Sequence, residues 1–465
     1  MNEITLSMRT VVGSAIGFEQ LERGAFEAIC RFGREELSRA LCELDAGIRV
    51  PRSWCSRGLR ERTVVTCFGA LVISRHRYLD ENGTSRYPLD EHFGLPPAVR
   101  ISPSIERSLV TLSASVSFRE AVDIVADLTG ADVSHATAHM ALRRCGTRIA
   151  AEQQAAAGDL HDLGLDPGGT RSADPLLAEA DGTVVAWQGE RQRRGEVRLA
   201  VFRGGRAGGT TVSYASVEGA RSFWRAASTE CASAFDITSV RSCVLSGDGA
   251  NWIRGGLDVL PHARFLLDPF HIQLALRDAT GSHPVASRLS SLLYTHGLSA
   301  VEQVLEDLAK REPERTESIE RVLGYLRANS DGLWRSNPSL GTIEGHIDKT
   351  LANRMKKRGR RWSKKGADAM ARVIAAQRSS RPIPVGAWTQ PVPTIGSKAW
   401  LLRSRAPLAS PRRAARTKAA SSRTPQDVAS PRSCVTSRRP DVQTGICEWV
   451  TLPPMCLTRP ARRRH

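Results

Sequence analysis

The sequence predicts an α/β fold, a mixed sheet framed by helical regions, and three observations carry that expectation. Apolar, β-branched runs separated by turn signals begin at residue 176: LLAEA (176–180), VRLAVF (197–202) and TTVSYASV (210–217), the texture of an antiparallel meander. A helical stretch near 219–235 then leads into two further runs, SCVLS (242–246) and ARFLL (263–267), so strands give way to helix–strand units. Apolar residues recur at helical spacing before and after this block.

A chain of 465 residues suggests roughly two to four domains. The hydrophobic share of 41% is enough for a sizeable core, and 5% aromatics disfavour a stacking platform for single strands. No apolar run approaches the ~18 residues of a membrane span, and the start lacks the basic-then-apolar pattern of a signal peptide. Ten cysteines without a CxxC pair argue against a zinc ribbon or a disulfide scaffold. Cys55, Cys67, His76 and His92 are too loosely spaced to read as a zinc site, which leaves reduced thiols. Charge is more telling. Lys plus Arg is 66 against 48 acids, a net of +18. Residues 349–365 hold nine basic residues and no acid, and residues 401–465 hold fourteen against three. Positive charge in blocks on a nearly neutral body is the footprint of a phosphate-backbone binder; its alternative is a solvated charge run.

In chain order, residues 1–100 read as an amphipathic helix over 18–45 (Phe18, Leu21, Phe26, Ile29, Phe32, Leu37, Leu41) and a small β-unit over 62–79 with an Asn82-Gly83 turn. Residues 101–155 read as three helices: one from Ser104 to Ser113, one with a Ser117–Glu120 capping box, and one capped by Ser134 after Gly130. The last two fit a helix-turn-helix, which would offer Ser134, His135, Thr137, His139, Arg143 and Arg144 to DNA; the alternative is a plain three-helix packing unit. Residues 156–175 read as a linker, 176–275 as the first part of the sheet core, and 276–340 as an inserted helical block. Residues 341–380 form a last helical region with the basic cluster inside it. Residues 381–465 are Arg/Ser/Pro-rich and read as a disordered basic tail, either a nucleic-acid-binding tail or the product of a shifted reading frame.

Three carboxylates stand out by position. Asp181 follows a predicted strand, Asp248 follows another between two glycines, and Glu344 begins the late helix. Groups at the carboxyl ends of strands converge on one crevice, and flanking glycines allow a phosphate close to the backbone. Glu344 shares a helical face with Ile347, Asp348, Leu351 and Met355, so it points towards the sheet, which is costly unless a cation neutralises it. Mg²⁺ or Mn²⁺ on Asp181, Asp248 and Glu344 answers that need. Two ions about 4 Å apart would serve an in-line phosphoryl displacement. Taken singly, each acid is an ordinary turn or cap. Asp268 and His271 form an Asp-x-x-His pair after the next strand, with His271 a clamp or an outer partner of the metals. The basic cluster Lys349, Arg354, Lys356, Lys357, Arg358, Arg360, Arg361, Lys364 and Lys365 would hold duplex phosphates beside them.

Taken together, LSGDGANWIRGGLDVLPHARFLLDPFHIQLAL and IEGHIDKTLANRMKKRGRRWSKKGADAMARV resemble bacterial insertion-sequence transposases of the ISLre type, distant relatives of the Mutator-like group. The similarity extends to RTVVTCFGALVISRHRYLD, YPLDEHFGL, SFREAVDIVADLTGADVSHATAHMALRRCG and EADGTVV, and so covers about residues 20–380. The resemblance implies a ribonuclease-H-like core with an Asp-Asp-Glu triad that cuts and joins transposon DNA ends. Asp181 and Asp248 match its two aspartates and Glu344 its glutamate. Asp268 and His271 match the Asp-x-x-His element that precedes an inserted helical domain, with Asp268 competing with Asp248 for a metal role. It further implies double-stranded DNA (terminal repeats and target) as partner, a homo-oligomer when two ends are synapsed, and a cytoplasmic, nucleoid-associated location. After about residue 380 the chain departs from the short ending usual in these proteins. The expected activity is DNA strand transfer; the alternatives are a DNA-binding protein without catalysis and a nuclease without joining.

Overall fold

Helix α1 (Phe18–Gly47) spans the predicted amphipathic stretch, but its apolar stripe is partly uncovered: Ala28 and Cys30 are buried while Phe18, Phe26 and Ile29 are exposed. The structure, a computed structural model, describes residues 10–13, 17–189, 191–204, 211–334, 340, 342–357 and 360–386. Arg358 and the predicted tail from residue 387 onwards therefore lie outside the described residues. The strand signal over 62–79 resolves into two antiparallel strands, β1 (Cys55–Thr66) and β2 (Gly69–Leu79), with β3 (Ser85–Arg86) at the edge. The polar start of β1 hid it from the hydrophobic pattern. One charged group on each of these strands is structural: Arg62 of β1 and Arg75 of β2 are buried and reach Asp90 of α2 (Pro88–His92) at 2.8 and 2.9 Å.

Three helices follow: α3 (Pro103–Ser113), α4 (Phe118–Thr129) and α5 (His135–Leu163). Ser117 and Glu120 form the capping box, Gly130 ends α4 at φ 64°, and the Ser134 hydroxyl caps α5. α5 runs eight residues beyond the expected boundary at 155. The Ala- and Gln-rich stretch 150–157 is strongly helix-forming, with Gln153 and Ala157 buried, and His161 then meets Arg225 O and Ser228 of the helix that follows the first strands, so the linker starts only after Leu163.

The sheet is mixed. β4 (Leu176–Trp187), β5 (Arg194–Gly204) and β6 (Val212–Ser216) form an antiparallel meander, and α6 (Ala220–Ala232) leads on. β7 (Cys243–Gly247), the short helix α7 (Asn251–Arg254) and β8 (Ala263–Leu267) come next. β7 is parallel to β4 and β8 to β7, giving the order β6-β5-β4-β7-β8. Alternate residues serve opposite faces. Leu176, Ala178, Ala180, Phe202 and Tyr214 pack with α6, whereas Val185, Val197, Leu199 and Val201 pack with α3, α5 and the carboxyl-terminal helices.

Helices α8 (Pro269–Thr280), α9 (His283–His296), α10 (Leu298–Arg311) and α11 (Thr316–Ala328) form a helical block that begins at Pro269, seven residues before the expected start at 276. Its apolar residues join the same cluster as the sheet. The last helical region is not continuous. α12 (Ile343–His346) passes into a π-helical turn (Ile347–Ala352) and α13 (Asn353–Met355); β9 (Arg361–Trp362) pairs with β4, and α14 (Lys364–Arg378) follows. The basic cluster is therefore spread over a turn, a strand and a helix start. Among the described residues no helix is long and apolar enough to cross a membrane.

Candidate functional site

Asp181 does not follow a strand; it lies within β4, opposite Leu199 of β5. Its setting still resembles a strand end. On the edge away from β5, β7 pairs with β4 only from Leu176–Cys243 to Glu179–Ser246, and β9 takes up that edge at Ala186 and Trp187. Asp181 occupies the interval where β7 has departed, so its buried carboxylate meets the loop that leaves β7.

That loop carries Asp248. Gly247 is confined between Ala180 O and the Ile253 side chain, each within 3 Å of where a Cβ would sit. Gly249 has φ +89°, the region that favours glycine. Asp248 Oδ1 accepts from Ala250 N–H at 2.8 Å, and Tyr325 of α11 donates its hydroxyl to the Asp248 carbonyl at 2.9 Å. His271, in the first turn of α8, completes the group: one donor atom from each of Asp181, Asp248 and His271 lies within 4.8 Å of the others. Asp268 is buried behind it, caps α8 through Phe270 N–H, and accepts from His271 Nδ1 at 2.8 Å. The structure therefore places Asp268 as the partner of His271, outside the three-donor group, and leaves Asp248 facing Asp181.

Electrostatics follow from this crowding. Burial pushes the Asp181 carboxyl up to about 7, and the charges of Asp248 and Glu344 add to the rise. Burial alone would lower the His271 pKa, but the Asp268 hydrogen bond and the nearby acids outweigh it and hold the imidazole above its ordinary value. Half-buried Glu344 stands outside the three-donor group, although its charge reaches Asp181. Its expected face is altered by the π-turn: Ile347, Leu351 and Met355 are buried, while Asp348 is exposed and pairs with Lys357 at 3.2 Å. The donor set fits a hard divalent cation. Two carboxylates meet an imidazole at one partly buried point, and the Asp268 bond to Nδ1 leaves His271 Nε2 as a donor. Carboxylates suit Mg²⁺ or Mn²⁺, and the imidazole favours the transition metal of the two. Among the described residues this is one such group; it does not define two metal positions.

Sequence reasoning passed over Glu179, which is buried two residues before Asp181 and contacts Thr342 and Arg203. The signal was present: an acid inside an otherwise apolar strand, in phase with Asp181. A cleft of about 800 Å³ opens beside Asp248 and His271, lined further along by Leu274, Arg277, Arg321 and Tyr325.

The expected DNA-contacting residues divide into two sets. His135, Lys349, Lys356, Lys357, Arg361, Lys364 and Lys365 are exposed, and Ser134 is exposed with its hydroxyl engaged in the α5 cap. Thr137 and Arg143 are half-buried. Three others turn inward. His139 packs edge-on against Phe118, and Arg144 pairs with buried Glu106 at 2.6 Å. Arg354 is 3% exposed, donates to Ser113 O at 2.7 Å and lies over the Phe118 and Trp362 rings. Arg360 is spent on the carbonyls of Asn353 and Arg354. A buried carboxylate, backbone carbonyls and aromatic rings engage these side chains inside the protein.

Comparison with known proteins gives the family. A UPF0236 protein encoded in the vanSb 3′ region of Streptococcus gallolyticus is 22% identical over 384 residues, 77% of this chain and 83% of that protein. One from Caldanaerobacter subterraneus subsp. tengcongensis is 22% identical over 368 residues, 76% of this chain and 70% of its own length. Another from that organism is 26% identical over 141 residues, 30% of its length. The family model described as "Uncharacterised protein family (UPF0236)" matches residues 12–390, and the chain belongs to that family.

Proposed function

We propose that this protein is a metal-dependent DNA strand transferase of the Asp-Asp-Glu type that cuts and joins the ends of an insertion sequence. The observation that carries the reading is the meeting of Asp181, Asp248 and His271 donor atoms within 4.8 Å, with the charge of Glu344 reaching Asp181. The sheet order supports a ribonuclease-H-like core: a three-strand meander, then parallel strands, with acids on β4 and directly after β7. The block α8–α11 fits the inserted domain, and the α4–turn–α5 pair fits the helix-turn-helix.

In this reading Asp181 and Asp248, with Nε2 of His271, would hold a divalent cation, and Glu344 would complete the acidic set around a second. A bound cation supplies Lewis acidity to a phosphoryl oxygen and lowers the pKa of an attacking water or 3′-hydroxyl. The chain's own residues supply placement. Asp268 fixes the imidazole tautomer, Tyr325 and the glycines at 247 and 249 hold the Asp248 backbone, and the exposed lysines and arginines of 349–365 hold the duplex through its phosphates.

The test uses full-length protein and duplexes carrying the DNA that flanks its gene. Nicking is expected with Mg²⁺ or Mn²⁺ and not with EDTA. Asp248→Asn and Glu344→Gln should lose it by about a hundredfold or more while DNA binding persists. Joining of a supplied 3′-hydroxyl end separates strand transfer from simple hydrolysis. Unchanged nicking in both variants overturns the reading, and salt-sensitive binding without cleavage under any metal would leave a DNA-binding protein.

A further inference from the structure

Glu179 is 1% exposed, and it leaves β4 on the same face as Asp181. Its Oε1 accepts the Thr342 backbone N–H at 2.8 Å; its Oε2 accepts the Thr342 hydroxyl at 2.8 Å and Arg203 Nη2 at 2.9 Å. Burying a carboxylate is costly, and these charge-assisted bonds offset the cost. Thr342 is the residue that opens α12, two positions before Glu344.

The relation extends along both segments. Leu177 shares an apolar cluster with Leu340, Glu179 bonds Thr342, and Asp181 feels the charge of Glu344. On each segment the acid of interest stands two residues beyond the Glu179–Thr342 contact, Asp181 on β4 and Glu344 on α12. On that segment Ile343 and Ile347 are buried in the core and His346 meets Arg378, while Glu344 itself is only half-buried. It lies on a four-residue helix that passes into a π-turn, and the whole block α8–α11 separates it from β4 along the chain.

We infer that Glu179 is a positioning residue: through Thr342 it sets the register of α12 against β4, so that Glu344 faces Asp181. The inference rests on the metal-centre reading above and adds to it a device for assembling the third acid. It predicts a local effect, confined to the segment that carries Glu344.

The experiment compares Glu179→Gln, Thr342→Val and the conservative Thr342→Ser in full-length protein. In metal-free protein, amide hydrogen exchange followed by mass spectrometry should quicken about tenfold over 342–352 in the first two variants, as expected for local opening. Strands 176–187 and 243–247 should keep wild-type rates, and Thr342→Ser should restore the segment. Mn²⁺ binding followed by electron paramagnetic resonance should weaken about tenfold in the same two variants, the scale of a lost supporting bond, and recover in Thr342→Ser. Unchanged exchange over 342–352, or an acceleration spread over the whole sheet, overturns the inference. So does unchanged Mn²⁺ affinity in these variants when Glu344→Gln lowers it. If Asp181→Asn and Glu344→Gln leave Mn²⁺ binding untouched, the metal-centre reading fails, and the exchange data still decide whether Glu179 sets the register.

Discussion

Nδ1 of His271 stands 2.8 Å from Oδ2 of Asp268, a carboxylate with no exposure to solvent. Asp268 thereby does two things: it caps α8 and, by engaging Nδ1, leaves Nε2 as the imidazole nitrogen open to a cation. Asp268→Asn can still accept from the Phe270 N–H, but it loses the charge that orients the ring. Mn²⁺ affinity in this variant is expected to fall about 10- to 100-fold, with the α8 cap retained. Calorimetric titration beside His271→Ala checks this. Weakening in His271→Ala but not in Asp268→Asn would show that the ring needs no such partner.

Asp181 sets a pH dependence. Its carboxyl rises from an ordinary 3.8 to about 7 in the folded protein, so between those values the native state holds a proton that the unfolded state has released. Stability of the metal-free protein should therefore fall as pH rises through this window, by up to about 1.4 kcal/mol per unit. His271, raised from 6.5, acts in the same direction above that value. Asp181→Asn should flatten the slope. Urea unfolding in EDTA between pH 4.5 and 7.5 measures it, and parallel slopes for wild type and variant would contradict the assignment. Mn²⁺ must displace the same proton, so its affinity should climb over that range.

Much of this arrangement was legible in the sequence, for identifiable reasons. Glycines beside Asp248 and proline after Asp268 punctuate strand ends, so the ends of β7 and β8 could be placed from residue types alone, although the helix that starts at Pro269 was not. Asp181 was harder, because its strand continues on β5 pairing past the point where β7 leaves, and β9 joins that edge only at Ala186. Glu179 drew no reading from the sequence, because the groups that bond its carboxylate, Arg203 and Thr342, arrive from other parts of the chain. The segment IEGHIDKTLANRM reads as one helix, yet the π-turn rotates Asp348 outward. Composition likewise gave no means of telling an arginine aimed at solvent from one stacked on Phe118 and Trp362.

That last distinction has a measurable consequence. Arg354 fills space between two aromatic rings, and burial lowers its pKa to about 10. Arg354→Ala should cost about 2–4 kcal/mol through the cavity and the lost bond to Ser113, without altering the salt dependence of DNA binding. Lys364→Ala and Lys365→Ala, at exposed positions, should leave stability within about 0.5 kcal/mol and each reduce the salt slope by about 1. Binding isotherms at several salt concentrations, with thermal melts, test both halves. A reduced slope in Arg354→Ala would place that guanidinium on DNA after all.

The loop carrying Asp248 is held from the helical block, which makes the block part of the site. Tyr325 donates to the Asp248 carbonyl, and Asn329 Nδ2 donates to Tyr325 O while its Oδ1 accepts from Arg254. A Cβ on Gly249 would fall 2.3 Å from Asn329 Oδ1, at a φ of +89°. Gly249→Ala should therefore destabilise the protein by about 2–3 kcal/mol, of which roughly 1 kcal/mol is backbone strain and the rest collision. Asn329→Ala removes the atom that is struck. The double variant should then recover about 1 kcal/mol relative to the sum of the single changes, a coupling that distant residues do not show. Tyr325→Phe, which deletes one hydrogen bond, should cost about 1 kcal/mol and weaken Mn²⁺ binding severalfold by loosening Asp248. Strict additivity in the Gly249–Asn329 cycle, with Mn²⁺ affinity unmoved in Tyr325→Phe, would mean that the block merely covers the sheet and does not hold the site.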